Sequence, residues 1–266
     1  MTESLFSLKG RVALVTGGSR GIGRMIAQAF IAQGARVYIT ARKAGPCLAA
    51  AEELSRGGGR CVALPADIST TAGAKALAEA FSHHEEKLDI LVNNAGAVWV
   101  AEFDRFPEKG WDKVMDLNLK APFFLTQALI GPLRAAATAG KPAKVINISS
   151  IDGIFINPME TYSYAASKAG LNHLTRRMAE RLIRDHIVVN AIAPGPFASD
   201  MNTDARDSAE QVARRVPAGR IGSDEDMGGA AVYLASRAGD YVVGVTLTVD
   251  GGVAFASPGF DGDTWR

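Results

Sequence analysis

The stretch Val12-Ala13-Leu14-Val15-Thr16-Gly17-Gly18-Ser19-Arg20-Gly21-Ile22-Gly23 decides the fold. Val12–Thr16 is a short, β-rich run without polar alternation, as expected of a strand buried on both faces. Glycines then arrive at 17, 18, 21 and 23, and an apolar helix over Gly21–Gln33 follows. Glycines at such a strand-to-helix turn let the backbone bend sharply and approach a ligand closely. The helix N-terminus adds free N–H groups and a favourable dipole for an anion. The spacing is G-x-x-x-G-x-G, not G-x-G-x-x-G. Its position straight after the first strand is the context in which a glycine turn binds a dinucleotide pyrophosphate.

Outward from this turn the pattern repeats. Strands are expected at Arg36–Ala41, Arg60–Pro65, Leu88–Asn93, Ala143–Ser149, Ile187–Ile192 and Val245–Val249. Helices are expected at Gly45–Arg56, Thr71–Glu86, Gly110–Leu133, Tyr162–Arg184 and Asp224–Ser236. Alternation of this kind predicts an α/β, doubly wound domain, a seven-stranded parallel sheet flanked by helices. No linker or repeat divides the 266 residues, so residues 1–266 read as one domain, with a polar segment over 199–215.

A net charge of +1 gives no global field to attract nucleic acid or a membrane surface. No stretch reaches the roughly 18 apolar residues of a membrane span. Met1 to Gly10 lacks the pattern of a secretory signal, so a cytoplasmic location is expected. Cys47 and Cys61 do not form a C-x-x-C pair, and two thiols in a reducing compartment are expected. The four histidines lack metal-ligand spacing, so no metal is expected.

Which dinucleotide is expected depends on the end of the second strand. A carboxylate there would accept the adenosine ribose hydroxyls of NAD. The sequence instead reads Ile39-Thr40-Ala41-Arg42-Lys43. Arg42 suits a 2′-phosphate, and Arg20 in the glycine turn can approach from the other side. Either arginine alone reads equally well as a solvated loop residue; together, with no carboxylate, they favour NADP(H).

The chain resembles the short-chain dehydrogenase/reductase family. The resemblance rests on Thr16-Gly17-x-x-x-Gly21-x-Gly23, Asn93-Asn94-Ala95-Gly96, Tyr164-Ala165-Ala166-Ser167-Lys168 and Pro194-Gly195, in the family's order. It is most like the 3-oxoacyl (β-ketoacyl) reductase branch, including rhamnolipid-type reductases. The resemblance implies a Rossmann-type fold and reduction of a ketone by NADPH, with a 3-oxoacyl thioester as the leading substrate. Steroid, sugar, polyketide or xenobiotic carbonyls are alternatives, and a non-catalytic nucleotide-sensing scaffold is a further one. It also implies an acyl-carrier-protein or CoA partner and a homotetramer or dimer.

Tyr164 and Lys168 stand one helical turn apart on one face. A phenol titrates near 10, and a neighbouring ammonium is expected to lower that value and ready it for proton transfer. Tyr162 has Ala166 at the same offset, so only Tyr164 fits. By resemblance, Ser150 hydrogen-bonds the substrate carbonyl. Ser149 is the neighbouring alternative, which strand alternation points elsewhere. The resemblance also assigns Asn118 a water of the proton relay and Lys168 the nicotinamide ribose.

The expected cofactor contacts are Gly17, Ser19, Arg20, Gly21, Ile22 and Gly23 in the first turn and Arg42 after the second strand. The resemblance implies that Ala66, Asp67 and Ile68 meet the adenine and that Asn94, Ala95 and Gly96 form the floor. It likewise implies that Pro194, Gly195, Phe197 and Ser199 meet the carboxamide, with Tyr164 and Lys168 at the reacting end. Trp99 and Phe103 read equally as pocket lining or packing. Arg177, Arg181 and Arg184, diluted by Glu180 and Asp185, read as a solvated face, with docking of an acidic carrier as the alternative.

Overall fold

The computed structural model describes residues 5–256. The expectation for Met1 to Gly10 thus lies partly outside the described residues. The strands are β1 (Val12–Thr16), β2 (Arg36–Thr40), β3 (Arg60–Ala63), β4 (Ile90–Asn93), β5 (Ala143–Ile148), β6 (Ile187–Pro194) and β7 (Thr246–Val249). They form one sheet in the order β3-β2-β1-β4-β5-β6-β7, parallel at every pairing. The chain winds outward from β1 in one direction and from β4 in the other. A crevice therefore opens between them at the carboxyl ends of the strands.

The described residues form ten α-helices: α1 (Gly21–Ala32), α2 (Ala44–Ser55), α3 (Thr71–Ser82), α4 (Glu108–Met115), α5 (Ala121–Ala128), α6 (Ile130–Ala136), α7 (Tyr162–Leu182), α8 (Thr203–Asp207), α9 (Ala209–Ala213) and α10 (Asp224–Ala235). Because strand side chains alternate, β1 buries Ala13 and Val15 on one face and Val12 and Leu14 on the other. The first face packs against α1, α2 and α10, and the second against α3, α5 and α7. Gly228 on α10 lets that helix approach α1, since a Cβ there would lie 2.8 Å from that of Ala29. Ser223 and Asp226 close a capping box at the start of α10, a device worth about 1 kcal/mol.

One expectation changes. The helix predicted over Gly110–Leu133 is broken by a π-helical turn at Asp116–Lys120 and divided again at Leu129. Pro122 explains the first break: it lacks the N–H that a continuous α-helix would donate from that position. Within the polar segment after β6, α8 and α9 fold as short helices. Asn202 caps α8 by accepting from the Ala205 N–H at 3.1 Å.

Behind the crevice, buried amides tie β4, β5 and α7 together. Asn93 donates to Asn147 at 2.9 Å, and Asn147 donates to Thr175 at 2.9 Å. Leaving such groups unpaired would cost about 1–3 kcal/mol each, so the register Asn93↔Asn147 is strongly favoured.

Candidate active site

The carboxyl ends of β1, β2, β4, β5 and β6 surround a cleft of about 1050 Å³. All the expected cofactor contacts line it, and so do Ser150, Tyr164 and Lys168.

At one end the wall is backbone. Thr16 Oγ1 accepts the backbone N–H groups of Asn94 and Ala95, both at 2.9 Å. Asn94 returns its amide to the Thr16 carbonyl at 2.7 Å. The turn after β1 is thereby fixed against the loop after β4. Gly17 has φ +66°, and a Cβ at Gly23 would lie 2.4 Å from both the Asn94 amide nitrogen and the Gly17 carbonyl oxygen. These glycines are required sterically, and they leave a smooth cradle at the start of α1. Asp67 Oδ1 accepts from the Ser69 N–H at 3.0 Å, which holds its carboxyl below the usual range with help from Arg42. Arg42 makes no ion pair among the described residues. The cradle, the dipole and this cation fit a phosphorylated dinucleotide.

Arg20 lines the cleft and is also ion-paired with Asp200, which accepts from Arg206 at 2.9 Å. The glycine turn is thus linked to the segment over 199–215 through one carboxylate. Ser199 accepts from the Asn202 N–H at 3.1 Å. Phe197 is buried, its ring filling the space a Cβ at Gly222 would need.

At the other end the wall is side chains. Ser150 follows β5, and its hydroxyl is hydrogen-bonded to the Tyr164 phenol. Ser149 turns away and donates to the Lys168 carbonyl at 3.2 Å, as alternation requires. Lys168 lies one turn beyond Tyr164 on α7, its Nζ 5.5 Å from the phenol ring centre. That Nζ donates to the Ile148 carbonyl at 2.8 Å.

The expected lowering of the phenol is absent. Burial pushes Tyr164 up to about 12; the Ser150 hydrogen bond opposes this and the negative charge of Asp152 adds to it. Burial also pulls Lys168 down to about 8, against the opposing pull of Asp152. Desolvation therefore outweighs the ammonium–phenol attraction, and the protonated phenol is the resting form.

Asn118 is buried behind the cleft wall, within the π-helical turn. Its side chain accepts from the Ala97 N–H at 2.8 Å and donates to the Ala97 carbonyl and Ser167 Oγ at 2.9 and 3.1 Å. The amide thereby braces the loop after β4 against α7.

The comparisons with known proteins follow this geometry. A family described as Enoyl-(Acyl carrier protein) reductase matches residues 17–254. The chain is 47% identical to a rhamnolipids biosynthesis 3-oxoacyl-[acyl-carrier-protein] reductase of Pseudomonas aeruginosa, over 93% of this chain and 97% of that one. The chain belongs to the short-chain dehydrogenase/reductase family. It is also 38% identical to a 2-dehydro-3-deoxy-D-gluconate 5-dehydrogenase of Dickeya dadantii, over 95% and 98% of the two chains. Among solved structures, the Pseudomonas aeruginosa RhlG/NADP active-site complex superposes with a TM-score of 0.92 at 46% identity, covering 96% of this chain and all of that one. A Burkholderia cenocepacia gluconate 5-dehydrogenase in complex with NADP and tartrate gives 0.87 at 34% identity, covering 95% and 98%.

Within this short-chain fold, other sequence expectations resolve. Trp99 packs over Gly110 and under Lys109 and Lys113, off the cleft, and Phe103 packs on Tyr162. Arg177 and Arg184 pair with Glu180, and Arg181 with Asp185, as on a self-neutralised surface. No helix among the described residues is long and apolar enough to cross a membrane, and no group there could hold a metal. Sequence reasoning missed Asp152 and Asn157 on the substrate side of the cleft. The available signal was the position of Asp152, two residues after Ser150.

Proposed function

We propose that this short-chain oxidoreductase reduces a ketone to a secondary alcohol with NADPH, and that Tyr164 delivers the proton. The convergence of Ser150, Tyr164 and Lys168 at the end of the cleft opposite Arg42 carries this reading. The glycine cradle and Arg42 hold the NADP(H) pyrophosphate and 2′-phosphate. Asn94 to Gly96 and Pro194, Gly195, Phe197 and Ser199 form the floor and wall for its nicotinamide end. The cofactor, when bound, supplies a hydride. Ser150 holds the carbonyl oxygen by a hydrogen bond, and Tyr164 gives up its phenol proton as negative charge builds on that oxygen. Lys168 then stabilises the resulting phenolate, and the charge it needs is present below about pH 8.

The preferred substrate is a 3-oxoacyl thioester, carried by acyl carrier protein, as the name of the 47%-identical relative has it, or by CoA. Met159 and Met201 line the cleft, and Ile154 and Ile156 stand exposed beyond it, a lip suited to an alkyl chain. Sugar-acid dehydrogenases among the relatives supply the second reading. The methionines and the exposed isoleucines favour the thioester over it, since a sugar acid offers them no alkyl chain. NADPH oxidation with acetoacetyl and longer 3-oxoacyl thioesters, compared with keto-gluconates, tests the choice. Turnover of thioesters rising with chain length is expected, and turnover of keto-gluconates alone would reject the reading. A homotetramer is supported by exposed Trp111 and Phe123 on α4 and α5, and mass in solution tests it.

A further inference from the structure

Asp152 has no part in the reaction as described so far, yet it is built into the substrate end of the cleft. It sits in the single turn Ile151–Gly153 directly after Ser150. Its backbone N–H donates to Ser150 Oγ at 3.1 Å, so the turn and the serine hydroxyl form one unit. The turn is pressed onto α7: a Cβ at Gly153 would lie 2.6 Å from the Lys168 carbonyl carbon, and Asn172 donates to the Gly153 carbonyl at 3.3 Å. The Asn157 amide reaches both Asp152 carboxylate oxygens at 3.3 Å. Asn157 is itself held through the Met159 N–H, at 3.0 Å. A carboxylate with a dedicated amide clamp is therefore fixed next to the Tyr164–Lys168 pair.

We infer that Asp152, clamped by Asn157, is a positioning residue that keeps Lys168 charged and Tyr164 protonated, so that the site rests in its proton-bearing form. This rests on the reading of Tyr164 as proton donor. The energetic case is that burial alone works against the pair. Lys168 is drawn down to about 8 even with Asp152 opposing the shift, and among the described residues Asp152 is the charged group that acts on both partners. The other charges around the cleft lie elsewhere on its wall: Lys113 and Asp116 at the end of α4, and Asp200 and Asp204 in the segment after β6. Lys168 in turn draws down the Asp152 carboxyl, which burial raises. One negative charge thus raises the proton affinity of both the ammonium and the phenol.

The test is a titration of the full chain labelled with 13C at the lysine ε-carbons, the Lys168 signal being assigned with Lys168→Ala. Wild type should show a midpoint near 8. Asp152→Asn should lower it by about 1 pH unit, the scale of losing a nearby opposite charge. Asp152→Glu should restore it, and Asn157→Ala should shift it the same way by less. The alkaline limb of kcat/KM for ketone reduction should move down in parallel, whereas a merely structural residue would lower the rate and leave the midpoint in place. An unmoved Lys168 midpoint in Asp152→Asn overturns the inference. If that variant does not fold, an unmoved midpoint in Asn157→Ala overturns it instead. The proton-donor reading is judged separately, by the activity of Tyr164→Phe.

Discussion

The two ends of the cleft are made of different material. At the nucleotide end, backbone amides, glycines without room for a Cβ, and Thr16 and Asn94 hold each other in place. At the substrate end, Ser150, Asp152, Tyr164 and Lys168 depend on side-chain charge and burial, with a partly helical segment over 199–215 alongside. The first end is a shape, fixed before any ligand arrives. The second is an electrostatic balance, and small changes in charge should tip it. Substitutions at the two ends should therefore fail in different ways.

Among substitutions that set the two ends against each other, Ser150→Ala should give the largest effect. Removing a hydrogen bond to the carbonyl oxygen should lower kcat by about 100- to 1000-fold, with NADPH affinity, read by fluorescence titration, little changed. At the other end, Gly23→Val places atoms where the Asn94 amide and Gly17 carbonyl already stand. It should weaken NADPH binding by about a hundredfold, the upper end of what overpacking costs. Residual turnover at saturating cofactor should survive, and a loss confined to kcat would break the comparison. Arg42→Ala should cut the preference for NADPH over NADH by roughly tenfold, the worth of a charge-assisted hydrogen bond. An unchanged preference would remove Arg42 from the 2′-phosphate site. The smallest effect should come from Asp200→Asn, which parts the segment over 199–215 from Arg20. That pair is exposed and worth under about 1 kcal/mol, so the readout is faster proteolysis after β6 with kcat within about twofold.

The same contrast explains what could be read from sequence. The glycine turn was legible because Gly17 and Gly23 are steric necessities, and a steric necessity leaves a fixed residue at a fixed spacing. Central strands such as β1 and β4 were legible because strands buried on both faces carry near-continuous apolar runs, and the ends of all seven strands shifted by only a residue or two. Tyr164 and Lys168 were found by helical spacing, but the direction of their titration was not. Spacing records which groups are neighbours; it does not record how far water is excluded from them. The ion pair of Arg20 was not legible for a related reason: its partner Asp200 lies 180 residues along the chain. Nothing local marks Asn118 as a brace, since its bonds to Ala97 and Ser167 exist only once the π-helical turn has formed.

The central claim is that the phenol of Tyr164 is the proton source for reduction, in a site charged by Lys168. Its most direct test is the NADPH-dependent reduction rate of wild type and Tyr164→Phe with an acetoacetyl thioester, from pH 6 to about pH 9. Wild type should hold its rate through neutrality and decline above about pH 8, as Lys168 loses its proton. Tyr164→Phe should be slower by about 100- to 10,000-fold at every pH while binding NADPH as tightly. A phenylalanine variant that turns over at the wild-type rate would contradict the account.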